Sequence, residues 1–217
     1  VMNEEMNTPR GRIILMKSVL EGELPLDHAL PYIDSCLGCL SCVTACPSGV
    51  PYGELLIPFR SLVEEKRSRS FIENSSRKLV IDTLPSPYRF RRAAQVGERV
   101  KSIRNALPQP FRDMLALLPA ELPYTRTLPN LYPAKGVKRA RVALLIGCVQ
   151  QILWPEINWA TIRVLAVNGV EIIIPESQGC CGALALHSGE LALARSQALA
   201  NIQAFPTDVD AIISNAA

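Results

Sequence analysis

The chain has 217 residues, of which 48% are hydrophobic and 20% charged, with 23 basic against 20 acidic side chains. This composition is too apolar and too balanced in charge for a disordered chain, and the length suffices for one or two domains. No apolar run approaches the roughly 20 residues of a membrane-spanning helix, and the polar first ten residues differ from a secretory signal. We therefore expect a cytoplasmic protein.

The first half of the chain is predicted to be helical. Thr8-Pro9 is typical of a helix start, and apolar residues on one face predict helices over 10–20 and 26–33. Residues 60–112 hold 13 of the 23 basic residues, with apolar residues at helical spacing. This pattern predicts amphipathic helices with a basic face, which is either solvated or docks an acidic partner or an anionic membrane. Recurring prolines then predict a linker.

The pattern changes after this linker. Apolar β-rich runs alternate with helical patterns, which predicts right-handed crossovers and a parallel sheet. The strands are expected at 141–146, 170–174 and 209–213, and the helices at 156–167 and 190–205. The predicted fold class is α+β overall: an all-α domain over 1–106, a proline-rich linker over 107–137 and an α/β domain over 138–217.

Four of the seven cysteines lie within eleven residues. They are Cys36, Cys39, Cys42 and Cys46, with Pro47 directly after the last, so their spacing is C-x2-C-x2-C-x3-C-P. Disulfides are rare in a reducing compartment, which favours metal binding. Three thiolates at intervals of three residues can wrap an iron–sulfur cube, and the fourth ligates the other cluster in two-cluster ferredoxins. The spacing therefore predicts [4Fe-4S] ligands.

The residues between these cysteines bear on the same hypothesis. Gly38 permits a backbone conformation that is closed to other residues. Leu37, Leu40 and Val43 are expected to keep water off the sulfurs and so to tune the cluster potential. The alternatives are a zinc knuckle or four buried thiols, but zinc sites usually pair two C-x2-C knuckles across a longer gap.

The three later cysteines follow predicted strands. Cys148 comes directly after the first strand, and Cys180 and Cys181 lie between glycines shortly after the second. Because the carboxyl ends of parallel strands share one edge, we expect the three thiols to gather there and to bind a further cluster or metal. The alternative is a small core cysteine and a chance pair in a tight turn. His187 is interpreted as a polar residue near a helix start, not as a ligand.

These motifs resemble those of the iron–sulfur subunit family of glycolate oxidase. This family shares the CCG domain with heterodisulfide reductase and with the iron–sulfur subunit of anaerobic glycerol-3-phosphate dehydrogenase. The stretches that carry the resemblance are residues 8–13, 36–51, 147–148 and 178–184, with His187.

The resemblance implies a helical ferredoxin-like domain followed by a CCG domain. It further implies flavin-containing dehydrogenase subunits as partners, with electrons passing from flavin toward a quinone, and peripheral association with the inner face of the cytoplasmic membrane. The chain itself is expected to have no catalytic residue and no nucleic-acid partner. A lactate- or glycerol-3-phosphate-linked subunit, a heterodisulfide-reductase-like complex, and a structural or redox-sensing zinc protein are the alternatives.

The chain departs from the family pattern at both ends. The family has another C-x2-C-x2-C-x3-C-P group upstream of the segment Arg10-Gly11-Arg12, and a further cysteine after a segment like residues 213–217. We therefore expect truncation before Val1 and after Ala217, and two [4Fe-4S] clusters in the intact protein.

Overall fold

The computed structural model describes residues 4–215, so the truncation expected at Val1 and Ala217 lies outside the described residues. The chain divides into two compact units. The first unit comprises the residues up to Ser68 together with Ala183–Leu193, and the second comprises Arg69–Gly182 and the residues from Ala194 onward. The predicted domain boundaries after residues 106 and 137 do not coincide with this division.

Helices occur in both units, and those predicted from apolar spacing lie within a few residues of their expected bounds. The α-helices are, in chain order, α1 (Pro9–Leu20), α2 (Leu26–Asp34), α3 (Ser41–Thr44), α4 (Tyr52–Lys66), α5 (Phe71–Thr83), α6 (Pro87–Val100), α7 (Gln109–Ala116), α8 (Gln150–Leu153), α9 (Pro155–Val167), α10 (Ala183–His187) and α11 (Leu191–Ala204). Short 3₁₀ helices span Glu5–Asn7 and Lys101–Ala106. No helix within residues 4–215 is long and apolar enough to cross a membrane.

The first unit is built around α1, α2 and α4. Helix α1 begins as predicted, because the Thr8 side chain accepts a hydrogen bond from the Gly11 N–H and Pro9 occupies the first turn. Gly11 is required there, since a Cβ atom at this position would lie 2.1 Å from the Glu5 carbonyl oxygen. The core of this unit contains Leu15, Met16, Ala29, Leu30, Ile33, Tyr52, Leu56, Phe59 and Val63.

The second unit contains a four-stranded sheet. Its strands are β1 (Leu131–Tyr132), β2 (Ala140–Leu145), β3 (Val170–Ile173) and β4 (Ala211–Ser214), in the order β1-β3-β2-β4. Strand β2 pairs in parallel with both β3 and β4, which confirms the predicted parallel arrangement. The sheet is nevertheless mixed, because β1, from the proline-rich segment, pairs antiparallel with the edge of β3.

Helices α5 to α7 belong to the second unit, together with the sheet. Phe90 of α6 packs with Ile152 and Leu153 of α8 in a small apolar cluster, and this contact explains why the basic segment groups with the sheet. Arg89, Arg92 and Arg99 lie exposed on α6. The predicted amphipathic pattern is therefore confirmed for this helix.

The sheet's main core is formed with α9. Ile162 and Ala166 pack against residues of β2 and β3, and Ile162 is 0% exposed. Truncation of a buried aliphatic side chain removes its burial and leaves a cavity. We expect Ile162→Ala to lower the free energy of unfolding by about 2–5 kcal/mol, measured by urea denaturation. Val164→Ala on the same helix is the control, because Val164 is 62% exposed; equal losses from both variants would contradict this packing.

Candidate metal centres

The first cysteine group lies on a tightly turned loop between α2 and α4. Gly38 and Leu40 both adopt left-handed backbone conformations, with φ angles of 70° and 57°. Gly38 is buried, and a Cβ atom there would lie 2.7 Å from Nδ1 of His187 and 3.3 Å from Nη1 of Arg60. The expectation that position 38 needs glycine is thus confirmed, for reasons of both conformation and space.

Hydrogen-bond donors surround the thiols of this loop. The Cys36 Sγ atom accepts from the Gly38 N–H at 3.4 Å and from the Tyr52 hydroxyl at 3.7 Å. The Ser41 backbone N–H lowers the pKa of Cys39, and the backbone N–H groups of Val50 and Ser48 lower the pKa of Cys46. Donors of this kind stabilise thiolates, which are the form of cysteine that ligates iron.

The donor set fits a cluster. Within residues 4–215, no group of three or more His, Cys, Asp or Glu side chains converges as the ligands of a single metal ion do. An iron–sulfur cube makes a different demand, because each thiolate binds a different iron and the ligands stand further apart. The residues available to hold such a cluster are the four free cysteines Cys36, Cys39, Cys42 and Cys46.

The apolar residues of the loop divide between two environments. Leu40 and Val43 are half-buried and pack against the core of the first unit. Leu37 is 85% exposed and does not belong to this core. Its position at the tip of the turn, next to the buried Gly38, directs it to solvent.

The second cysteine group forms at the carboxyl edge of the sheet. Cys148 follows β2, Cys180 and Cys181 follow β3, and the Sγ atoms of Cys148 and Cys180 lie 3.6 Å apart. The predicted proximity of Cys148 to the pair is therefore confirmed. Cys180 is buried whereas Cys181 is exposed, so the two neighbouring thiols have different surroundings.

A hydrogen bond joins the thiols of Cys148 and Cys180. The hydrogen bond from the Cys180 thiol lowers the pKa of Cys148 to about 7, and the same bond raises the pKa of Cys180. Cys148 is therefore the more acidic thiol of the two. This arrangement provides a nucleophilic sulfur and a ready metal ligand at neutral pH.

Amide side chains hold the loops that carry these thiols, those of half-buried Gln178 and buried Asn201. Gln178 accepts a hydrogen bond from the Ile146 N–H at 3.0 Å and donates to the Leu144 carbonyl at 3.1 Å, so it joins the Cys180 loop to the end of β2. Asn201 of α11 accepts from the Gly179 N–H at 2.9 Å and donates to the Cys180 carbonyl at 2.7 Å. The two amides therefore fix the backbone from Gln178 to Cys180.

A third amide supports the Cys148 side. Asn158, which is buried on α9, donates to the Ile146 carbonyl at 3.0 Å and accepts from Gln150 and Asn215. Asn158 thereby orders the backbone that precedes Cys148 and links it to the Gln150 side chain of α8.

Sequence reasoning did not identify these supporting residues. Asn201 is an amide within an Ala/Leu-rich helix, and this is the only signal that could have marked it as a buried polar residue. Tyr52 and Arg60 gave no sequence signal of their own. His187 is half-buried in the first unit, beside Gly38, and none of its contacts with the described residues makes it a metal ligand.

The chain is similar in sequence to known iron–sulfur proteins. Residues 142–217 match the cysteine-rich domain family CCG. The chain is 36% identical to the probable glycolate oxidase iron–sulfur subunit of Bacillus subtilis, over 98% of this chain and 52% of that protein. It is also 36% identical to the glycolate oxidase iron–sulfur subunit of Escherichia coli, over 97% of this chain and 49% of that protein.

The chain is also similar, over a shorter stretch, to a lactate utilization protein. Lactate utilization protein A of Bacillus pumilus is 39% identical over 31% of this chain and 28% of its own length. The chain spans about half the length of the glycolate oxidase subunits that it matches. No solved structure matches it significantly.

The short distance between two of the thiols predicts which disulfide forms. In the metal-free chain, mild oxidation with diamide should join Cys148 to Cys180, faster at pH 8 than at pH 6 because the thiolate fraction of Cys148 rises with pH. Peptide mass spectrometry identifies the bridge. Cys181→Ser should retain it, and a bridge from Cys148 to Cys181 would contradict the geometry.

Proposed function

We propose that this protein is an electron-transfer subunit of a 2-hydroxy-acid dehydrogenase complex, because its C-terminal segment matches the CCG family and nearly the whole chain resembles glycolate oxidase iron–sulfur subunits. The observation that carries the proposal is the loop of Cys36 to Cys46, whose spacing is that of bacterial ferredoxins and whose thiols are met by hydrogen-bond donors.

In this proposal Cys36, Cys39 and Cys42 hold one [4Fe-4S] cluster, and Cys46 ligates a second. When bound, such clusters accept and release single electrons. The protein's own contribution is to hold the thiolates, to donate hydrogen bonds to them and to set their exposure to water. Cys39 is exposed, so this side of the loop offers the shortest approach for an electron donor.

Cys148, Cys180 and Cys181 are proposed as a further metal or cluster site. The contact between the first two sulfurs and the amide-supported loops around them favour ligation over a chance grouping. Cys181, exposed next to the buried Cys180, would supply a ligand on the open side of the site.

The partners in this proposal are flavin-containing dehydrogenase subunits that oxidise the hydroxy acid, with glycolate as the substrate. Electrons leave toward a quinone, with the complex at the inner face of the cytoplasmic membrane. The similarity to lactate utilization protein A supports a second candidate, in which lactate replaces glycolate as the substrate of the complex.

The cluster assignment predicts a distinct response from each cysteine. After anaerobic reconstitution with iron and sulfide, the chain should absorb near 400 nm and give the EPR signal of a reduced four-iron cluster. Cys39→Ser should abolish the signal, whereas Cys46→Ser should retain it because Cys46 serves the other cluster. Iron and zinc analysis tests the alternative: stoichiometric zinc without iron would refute the proposal.

The Tyr52 hydroxyl provides a finer test of the same site. Tyr52 is 3% exposed, and burial together with the hydrogen bond to Cys36 raises its pKa, so it remains a protonated donor. Because a hydrogen bond to a ligand sulfur favours the reduced cluster, Tyr52→Phe should lower the midpoint potential without loss of fold. Tyr32→Phe, in the same unit, is the control; equal potentials in all three proteins would show that the contact has no influence.

A further inference from the structure

A single arginine side chain binds three backbone segments around the first cysteine loop. Arg60 lies half-buried on α4. Its Nη2 atom donates to the Ile33 carbonyl at 3.2 Å and to the Cys36 carbonyl, and its Nη1 atom donates to the His187 carbonyl at 3.0 Å. The planar fork of the guanidinium thus connects the last turn of α2, the first cysteine of the loop and the end of α10.

Two of these carbonyls lie at helix ends, and the Ile33 carbonyl also accepts a hydrogen bond from the Cys36 N–H at 3.3 Å. Those of Ile33 and His187 lie in the last turns of their helices, where carbonyl groups have no partner within the helix. The Cys36 carbonyl lies two residues before Gly38, the first of the two residues of the loop with a left-handed backbone conformation. Loss of the guanidinium would leave these half-buried acceptors without the charged donor that they share.

The same guanidinium also limits the space of the loop. A Cβ atom at Gly38 would meet Nη1 of Arg60 at 3.3 Å, so the guanidinium packs on the backbone between Cys36 and Cys39. On the far side of α10, Gly189 approaches closely as well, since a Cβ atom there would lie 2.7 Å from the Arg60 carbonyl. Both the side chain and the backbone of Arg60 are therefore in close contact with the segments that the guanidinium connects.

We propose that Arg60 is a positioning residue for the cluster held by Cys36, Cys39 and Cys42. It fixes the backbone from which these ligands project, and its permanent positive charge favours the reduced cluster. This inference rests on the proposed function for the existence of the cluster. The redox step adds one electron to the bound cluster, forms and breaks no bond, and leaves the cluster more negative by one charge, which a nearby cation stabilises.

Two substitutions separate the two roles. Arg60→Gln removes both the charge and the fork, so the midpoint potential should fall in a dithionite titration and iron release to a chelator should be about ten-fold faster. Arg60→Lys keeps the charge but loses the fork, so the potential should stay near that of the unmodified protein while iron release is still faster. Arg10→Gln, at an exposed site on α1, should change neither.

Hydrogen exchange provides a readout that needs no cluster. In the metal-free chain, Arg60→Gln should speed the exchange of backbone amides at residues 36–42, and Arg10→Gln should not. Unchanged exchange, or an Arg60→Gln protein with the original potential and iron release, would overturn the inference. If Arg60→Gln does not fold, Arg60→Lys decides: iron release at the original rate would refute the positioning role. Failure of the unmodified chain to bind any iron would instead refute the proposed function.

Discussion

The carboxyl end of β2 imposes the constraint on which the second cysteine group depends. Beyond Leu145 the strand leaves the sheet, and its backbone groups need other partners. At this end of the strand the Gln178 side chain accepts from the Ile146 N–H and donates to the Leu144 carbonyl, as the backbone of a neighbouring strand would. Because Gln178 precedes the vicinal cysteines by two residues, the same bonds place those cysteines beside Cys148.

The first cysteine group is ordered by a different means. Its loop has no sheet edge to bind, and its shape comes from two left-handed residues, Gly38 and Leu40, with donors from neighbouring helices. Arg60 and Tyr52, both on α4, reach the carbonyl and the sulfur of the same residue, Cys36. One helix therefore supports both the backbone and the ligand atom.

Much of the fold follows from periodic patterns. Helices α1 and α9 and strands β2 and β3 begin and end within a residue or two of their predicted positions, because capping residues and apolar periodicity are local signals. The proline-rich segment was less predictable. It contains α7 and the short strand β1, which pairs through the backbone with β3 and so depends on a distant partner, not on its own sequence.

The sequence by itself determined the cysteine spacing and the positions of strands β2 and β3, because capping residues, turn glycines and apolar periodicity are local signals, and the alternation of strands with helices predicted their parallel pairing. Only the tertiary structure decided that the Cys180 sulfur lies 3.6 Å from that of Cys148, and that Leu37 is exposed. It also grouped Ala183–Leu193 with the first unit, through a bond between Arg60 and His187 that spans 127 positions. Such contacts depend on where a long side chain ends in space, and no periodicity along the chain encodes that position.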